Sequence, residues 1–323
     1  MTFISATPTA RHVVQESTPA RTGSPLSTHF DTLETRIEAD TASFWTFMRA
    51  GPKPCYTPEL LDDILSLQAL MRDSLAVRRD DPAALNLRYY VMGSRLPGIF
   101  NLGGDLDLFA QCIQGGNRQE LRRYGHRCVE AVHGNAEAFR GPVVTIALVQ
   151  GDALGGGFEC ALAFDVIVAE RRARFGLPEI LFNLFPGMGA YSFLSRRLGP
   201  VEAERLITSG KILTAEELHA MGVVDVLAED GEGEAAVRLY IERHGRRHNA
   251  HQALMQVRRR VNPVTLAELK DVVDIWTDTA LGVSDLDLRM MRRLAKAQQR
   301  RIAMNGADAS SEIPGKEDVF QEA

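Results

Sequence analysis

Two hydrophobic rhythms alternate along the chain. The segments Leu87–Met92, Val143–Gln150 and Asp165–Ala169 are almost continuously apolar, which predicts short strands buried on both faces. Between and around them the apolar residues fall at helical spacing. Thr57-Pro58 reads as a helix start, and Leu61, Ile64, Leu65, Leu67, Leu70 and Met71 then share one face. A longer amphipathic helix is expected from Arg118 to Phe139. Near the start, Leu33, Ile37, Phe44, Trp45 and Phe47 suggest short strands about a turn at Glu38 to Ala42. Strands alternating with helices indicate an α/β architecture.

Gly93–Gly98 reads as a turn, and Ile99–Asp105, Gly151–Gly157 and Phe175–Glu179 as loops; from Thr214 to about Ala303 the chain reads as mostly helical. The expected organisation is a disordered tail over 1–26, a core domain over 27–213, a helical region over 214–303 and a second disordered tail over 304–323. With 45% hydrophobic and 24% charged residues among 323, the bulk of the chain is expected to fold. A net charge of −5 argues against a broad nucleic-acid footprint. The basic residues are nearly all arginine, with lysine only at positions 53, 211, 270, 296 and 316. Cys55, Cys112, Cys128 and Cys160 form no CxxC pair and read as reduced thiols. The N-terminal stretch lacks a signal-peptide core, and the long apolar segment from Val143 to Ala169 is broken by glycines and acids. A cytoplasmic protein without a membrane span is expected.

The chemistry is concentrated in Gly151-Asp152-Ala153-Leu154-Gly155-Gly156-Gly157-Phe158-Glu159. Three glycines between a strand and a helix permit close backbone approach, and the free N–H groups there favour a negative oxygen. A plain tight turn is the competing reading. A nucleotide loop is not supported, since neither the Walker pattern nor GxGxxG fits. A second glycine loop, Gly103-Gly104-Asp105, also precedes a helix. Glu159 lies just inside the helix start, and Glu179 follows in Phe175-Gly176-Leu177-Pro178-Glu179. Singly, each acid reads as a solvated or helix-start charge. Together with the loops they describe a site in which N–H donors hold a thioester oxygen as it becomes an enolate, while two carboxyl groups move protons.

The run from Asn101 to Gly189 resembles the crotonase (enoyl-CoA hydratase) superfamily in both glycine loops, in Phe175–Glu179 and in Pro186-Gly187-Met188-Gly189; the likeness extends over roughly residues 28–260. It implies an α/β, crotonase-type spiral of ββα units with a C-terminal helical region. It also implies an oxyanion hole from the backbone N–H groups of Gly104 and Gly156, catalytic roles for Glu159 and Glu179, and substrate binding by Gly103. Phe100–Leu106, Leu181–Phe193, Asp274-Ile275-Trp276 and the stretch from Arg289 to Arg301 further resemble bacterial diffusible signal factor synthases. That likeness implies dehydration of a 3-hydroxyacyl chain carried on acyl carrier protein, then thioester hydrolysis to a cis-2-unsaturated fatty-acid signal. Trp276 and Leu294 would line the acyl tunnel, although Trp276 alone reads as helix core with Val272, Val273 and Leu281.

The rival enzyme reading is an enoyl-CoA hydratase of fatty-acid breakdown. A rival of another class is a regulatory protein that docks a sensor kinase receiver domain, which can coexist with catalysis. The resemblance implies a homotrimer or dimer of trimers, and no cofactor beyond the phosphopantetheine of carrier protein or coenzyme A that carries the substrate. Arg122, Arg123 and Arg127, with Arg292, Arg293, Arg300 and Arg301, are basic clusters that read as solvated faces or as a carrier-protein patch. His244, His248 and His251 lack the Glu of a HExxH site and read as surface, no Gly-x-Ser-x-Gly elbow occurs, and Asp105 and Asp165 read as structural.

Overall fold

A β-hairpin, β1 (Leu33–Glu38) and β2 (Ser43–Met48), opens the described part of the chain. The computed structural model describes residues 28–49, 51, 53–76 and 86–296, so the two expected tails lie outside the described residues. After α1 (Pro58–Ala76), the chain repeats one unit three times: a long strand, a three-residue strand, then helix. The first unit is β3 (Tyr89–Ser94), β4 (Ile99–Asn101), α2 (Leu106–Gln114) and α3 (Arg118–Ala136). The second is β5 (Val144–Val149), β6 (Asp152–Leu154) and α4 (Gly156–Leu162). The third is β7 (Val166–Glu170), β8 (Arg174–Gly176), a 3-10 turn over Pro178–Phe182, α5 (Ala190–Leu198) and α6 (Pro200–Ser209).

The long strands form one sheet and the short ones another. The main sheet runs β1-β2-β3-β5-β7-β10, parallel except for the opening hairpin, and the second runs β4-β6-β8-β9. β9 (Ile212–Thr214) closes the small sheet antiparallel to β8, and α7 (Ala215–Ala220) follows through a Thr214–Glu217 capping box. β10 (Val226–Ala228) then returns to the main sheet beside β7. The described part of the chain closes with α8 (Gly233–Gly245), α9 (His248–Val261), α10 (Leu266–Leu281) and a helical stretch over residues 285–296. The α/β spiral of ββα units with a C-terminal helical extension is therefore the observed fold.

The continuous apolar runs have a direct cause. Every residue of β2, β3 and β5 is buried. Trp45, Val91, Ile146 and Val168 face Val237 and Ile241 of α8 on one side. Phe44, Met92, Ala147 and Ile167 face the other side, where α1 and α3 pack. The three-residue strands are too short to show any period, which is why Ile99–Asn101 and Asp152–Leu154 read as loop in the sequence. The expected turn from Gly93 likewise begins two residues late, because Gly93 and Ser94 still belong to β3. β10 was hidden by the same brevity inside a stretch that reads as helical.

Successive units stack through backbone contacts. A Cβ on Gly151 would lie 2.0 Å from the carbonyl carbon of Gly98, and one on Gly157 would lie 1.9 Å from the carbonyl oxygen of Asn101. The second contact fixes α4 against β4, and so sets one glycine loop against the other. Gly157→Ala is expected to destabilise the protein by about 2 kcal/mol or more, because the obstructing atom is backbone and cannot rotate away. Urea unfolding of the purified variant measures it, and an unchanged midpoint would contradict this packing.

Candidate functional site

The first glycine loop links β4 to α2. Gly103 takes φ +93°, and its N–H donates to Asn101 Oδ1 at 2.8 Å while its carbonyl accepts from the Tyr56 N–H at 2.8 Å. A trans peptide sets C=O and N–H on opposite sides, so the Gly104 N–H points away from Tyr56. Asp105 then caps α2 through Asp107 N–H and Leu108 N–H and pairs with Lys53 at 3.0 Å, the structural part its position suggested. The second loop links β6 to α4 through Gly155, whose φ of +52° and ψ of −127° suit only glycine. A Cβ on Gly156 would lie 3.3 Å from Gly103 Cα, so the loops touch. Among the described residues, no group accepts a hydrogen bond from the N–H of Gly104 or Gly156.

Glu159 sits one turn into α4 with 1% of its surface exposed. Its Oε1 accepts from the N–H groups of Met188 (2.7 Å) and Ala190 (2.9 Å), which Gly189, at φ +116°, turns toward it. Burial raises its pKa to about 7 against the pull of those donors. Glu179 lies in the 3-10 turn over Pro178–Phe182. The residue as a whole is half-buried, yet its Oε2 is shut off from solvent and has no hydrogen-bond partner among the described residues. Burial, and next the charge of Glu159, hold its pKa well above the ordinary carboxylate value. Glu159 is the acid that gives up its proton more readily, and Glu179 the one that keeps it.

Both acids line a cavity of about 290 Å³, together with Gly103, Gly104 and Gly156. Trp276 of α10 and Leu294 of the last helical stretch form its apolar wall. Trp276 is buried, packs on Gly187, and meets the Phe109 ring edge-to-face at 4.9 Å between centroids. All seven residues singled out in the sequence therefore meet around one cavity.

The wall has a side that sequence reasoning missed: Tyr124, Gly125 and Cys128 of α3, with Phe109 and Met188. On α3 these residues continue the buried stripe of an amphipathic helix, and nothing in the pattern separates cavity wall from core. The basic clusters divide. Arg122 pairs with Asp274 at 2.6 Å and Arg127 with Asp62, so neither is a free surface cation, while Arg292 and Arg293 are exposed and Arg300 and Arg301 lie outside the described residues. Asp165 is structural, accepting from the Thr145 N–H at 3.0 Å and Arg258 at 2.9 Å. His244 stacks on His251 at 4.6 Å, and no group of three His, Cys, Asp or Glu among the described residues could hold a metal ion. No helix among them is long and apolar enough to cross a membrane.

Comparison with known proteins agrees with this geometry. Rat mitochondrial methylglutaconyl-CoA hydratase is 36% identical over 153 residues, which cover 47% of this chain and 46% of that protein. The chain spans about half the length of the curated relatives it matches. Among solved structures, Pseudomonas aeruginosa DspI superposes with a TM-score of 0.61 at 27% identity, covering 74% of this chain and 93% of DspI. An enoyl-CoA hydratase from Bacillus halodurans shares the fold, with a TM-score of 0.66 at 21% identity, over 82% of this chain and 99% of that one. The enoyl-CoA hydratase/isomerase family profile matches residues 65–275, a stretch that holds both glycine loops and both acids, and the chain belongs to that family.

Proposed function

We propose that the protein is an enoyl-thioester hydratase that adds water across C2 and C3 of an acyl chain held as its coenzyme A thioester, and reverses the step. One observation carries this reading: two buried carboxyl groups and two unengaged backbone N–H groups converge on one apolar cavity. The thioester oxygen sits between the N–H groups of Gly104 and Gly156, which stabilise the enolate as charge moves onto it. In the hydration direction, the Glu159 carboxylate takes a proton from water as the water oxygen bonds to C3. The Glu179 carboxylic acid then delivers its proton to C2 as the enolate collapses. Dehydration runs the same transfers backwards, with the proton on Glu159 leaving on the C3 hydroxyl. The unequal surroundings of the two acids support that division of labour.

A second reading is favoured by particular features. It is dehydration of a 3-hydroxyacyl group on acyl carrier protein followed by hydrolysis to a free fatty-acid signal. The family match ends at 275, just before Trp276, so Trp276 and Leu294 belong to chain beyond it. The helical stretch supplying Leu294 exposes Arg289, Arg292, Arg293 and Lys296, which have no acidic partner among the described residues and suit an acidic carrier. We extend the proposal to assembly as a homotrimer or dimer of trimers, for which the exposed stripe Leu254, Val257 and Val261 on α9 offers an apolar face.

Mass spectrometry of products from one 3-hydroxyacyl chain, presented on coenzyme A and on carrier protein, tests both readings. Enoyl thioester as the sole product supports the hydratase; free unsaturated acid supports the second reading; no conversion of either substrate would overturn both. Glu159→Gln and Glu179→Gln are each expected to lower kcat by about 10²–10⁴ while folding normally.

The raised acids also set a pH dependence of stability. An unfolded carboxyl titrates near about 4.3. Above that pH the native state keeps protons that the unfolded state has lost, so stability present at acid pH declines as pH rises through the native values. Glu179→Gln removes one such group. Its Tm is expected to exceed that of wild type by a margin that grows from pH 5 to pH 8. Thermal melts at the two pH values measure it, and a margin that shrinks would contradict the burial argument.

A further inference from the structure

The peptide between Gly103 and Gly104 is held by a hydrogen-bonded ring that closes through a side chain. Tyr56 and Gly104 form a parallel bridge between the loop entering α1 and the first glycine loop. One link is direct, from the Tyr56 N–H to the Gly103 carbonyl at 2.8 Å. The other runs through a phenol: the Asp105 N–H donates to Tyr124 Oη at 3.0 Å, and that hydroxyl donates to the Tyr56 carbonyl. Gly104 lies between the two links, with its own N–H left for the cavity.

We propose that Tyr124 is a positioning residue for the first oxyanion donor, its hydroxyl fixing the plane of the Gly103–Gly104–Asp105 backbone and so the aim of the Gly104 N–H. Three observations carry this. The hydroxyl engages as both donor and acceptor, and both partners are backbone groups of the ring. Gly103 occupies a left-handed conformation without a side chain to brace it, so the loop depends on outside anchors. The Tyr124 ring is itself pinned, buried and edge-to-face on Phe109 at 5.6 Å, so the hydroxyl is presented from a rigid helix face. Burial keeps the phenol protonated by pushing its pKa well above the ordinary value. The inference rests on the reading of Gly104 as an oxyanion donor, and it adds the part that aims it.

The test is Tyr124→Phe, which deletes only the hydroxyl. The probe is a 4-dimethylaminocinnamoyl coenzyme A thioester, whose absorption moves to the red as its carbonyl is polarised. Wild type should show a red shift on binding. In the phenylalanine variant the shift should fall by at least half, and kcat for an enoyl thioester by about tenfold or more, with KM changed less than about threefold. A purely structural role would lower Tm or raise KM while the bound probe kept its full shift, and that outcome would overturn the proposal. Absence of any shift in wild type would instead overturn the oxyanion reading itself, so the two failures are distinct. If Tyr124→Phe does not fold, 3,5-difluorotyrosine at position 124 keeps the ring and weakens the oxygen as an acceptor. A smaller shift than wild type is then expected, and an unchanged one counts against the assignment.

Discussion

The cavity that gathers both acids depends on a seam where backbone meets backbone. Two successive turns of the spiral stack so closely that no side chain fits between them at three points: Gly151 on Gly98, Gly157 on Asn101, and Gly103 on Gly156. Each contact is made between successive ββα units, at the step from the main sheet to the small one or just beyond it. Because the small strands β4 and β6 pair in parallel, the loops that follow them leave in the same direction and open side by side. Two N–H groups from residues far apart in sequence can then face one point, at a spacing set by the sheet. A hole built from side chains would need rotamers held in place; here the sheet register does that work.

The acids inherit their difference from the same geometry. Glu159 sits one turn into α4 and reaches the N–H groups of Met188 and Ala190, whereas Glu179 comes from a short 3-10 turn that leaves Oε2 without a donor among the described residues. Two carboxylates in so apolar a space repel each other and lack water, so the proton settles on the acid with fewer donors. The unsatisfied oxygen costs stability in the resting protein. It is also the group with hydrogen-bonding capacity left for a substrate.

Much of this was legible in the sequence where burial imposes a pattern. The long strands read as apolar runs because helices cover both faces of the main sheet, and α1 and α3 read as amphipathic because each buries one stripe. The short strands could not be read, since three residues carry no period and Ile99–Asn101 is distinguished only by pairing with β6. Glu159 and Glu179 were legible from their glycine surroundings. Tyr124 was not, because it shares its buried stripe with Leu121, Cys128 and Val129, and only the fold shows that its hydroxyl meets Tyr56 across 68 residues. The pairing of Arg122 and Arg127 was hidden for the same reason: Asp274 and Asp62 lie 152 and 65 residues away.

A chain of aromatic rings joins the two halves of the cavity. Trp276 meets Phe109 edge-to-face, Phe109 meets Tyr124 in the same way, and the Phe109 ring lies where a side chain on Gly104 would stand, 2.3 Å from its Cβ position. Trp276 belongs to the stretch just past the family match, while Gly104 and Tyr124 lie within it. The Trp276 wall of the cavity and the backbone that presents the Gly104 N–H therefore share one intermediary. A displacement of Trp276 is passed through Phe109 to the loop that presents the Gly104 N–H. Residues beyond the family match can in this way reshape the cavity without altering either acid, but a change large enough to move Phe109 also moves the loop that presents the Gly104 N–H.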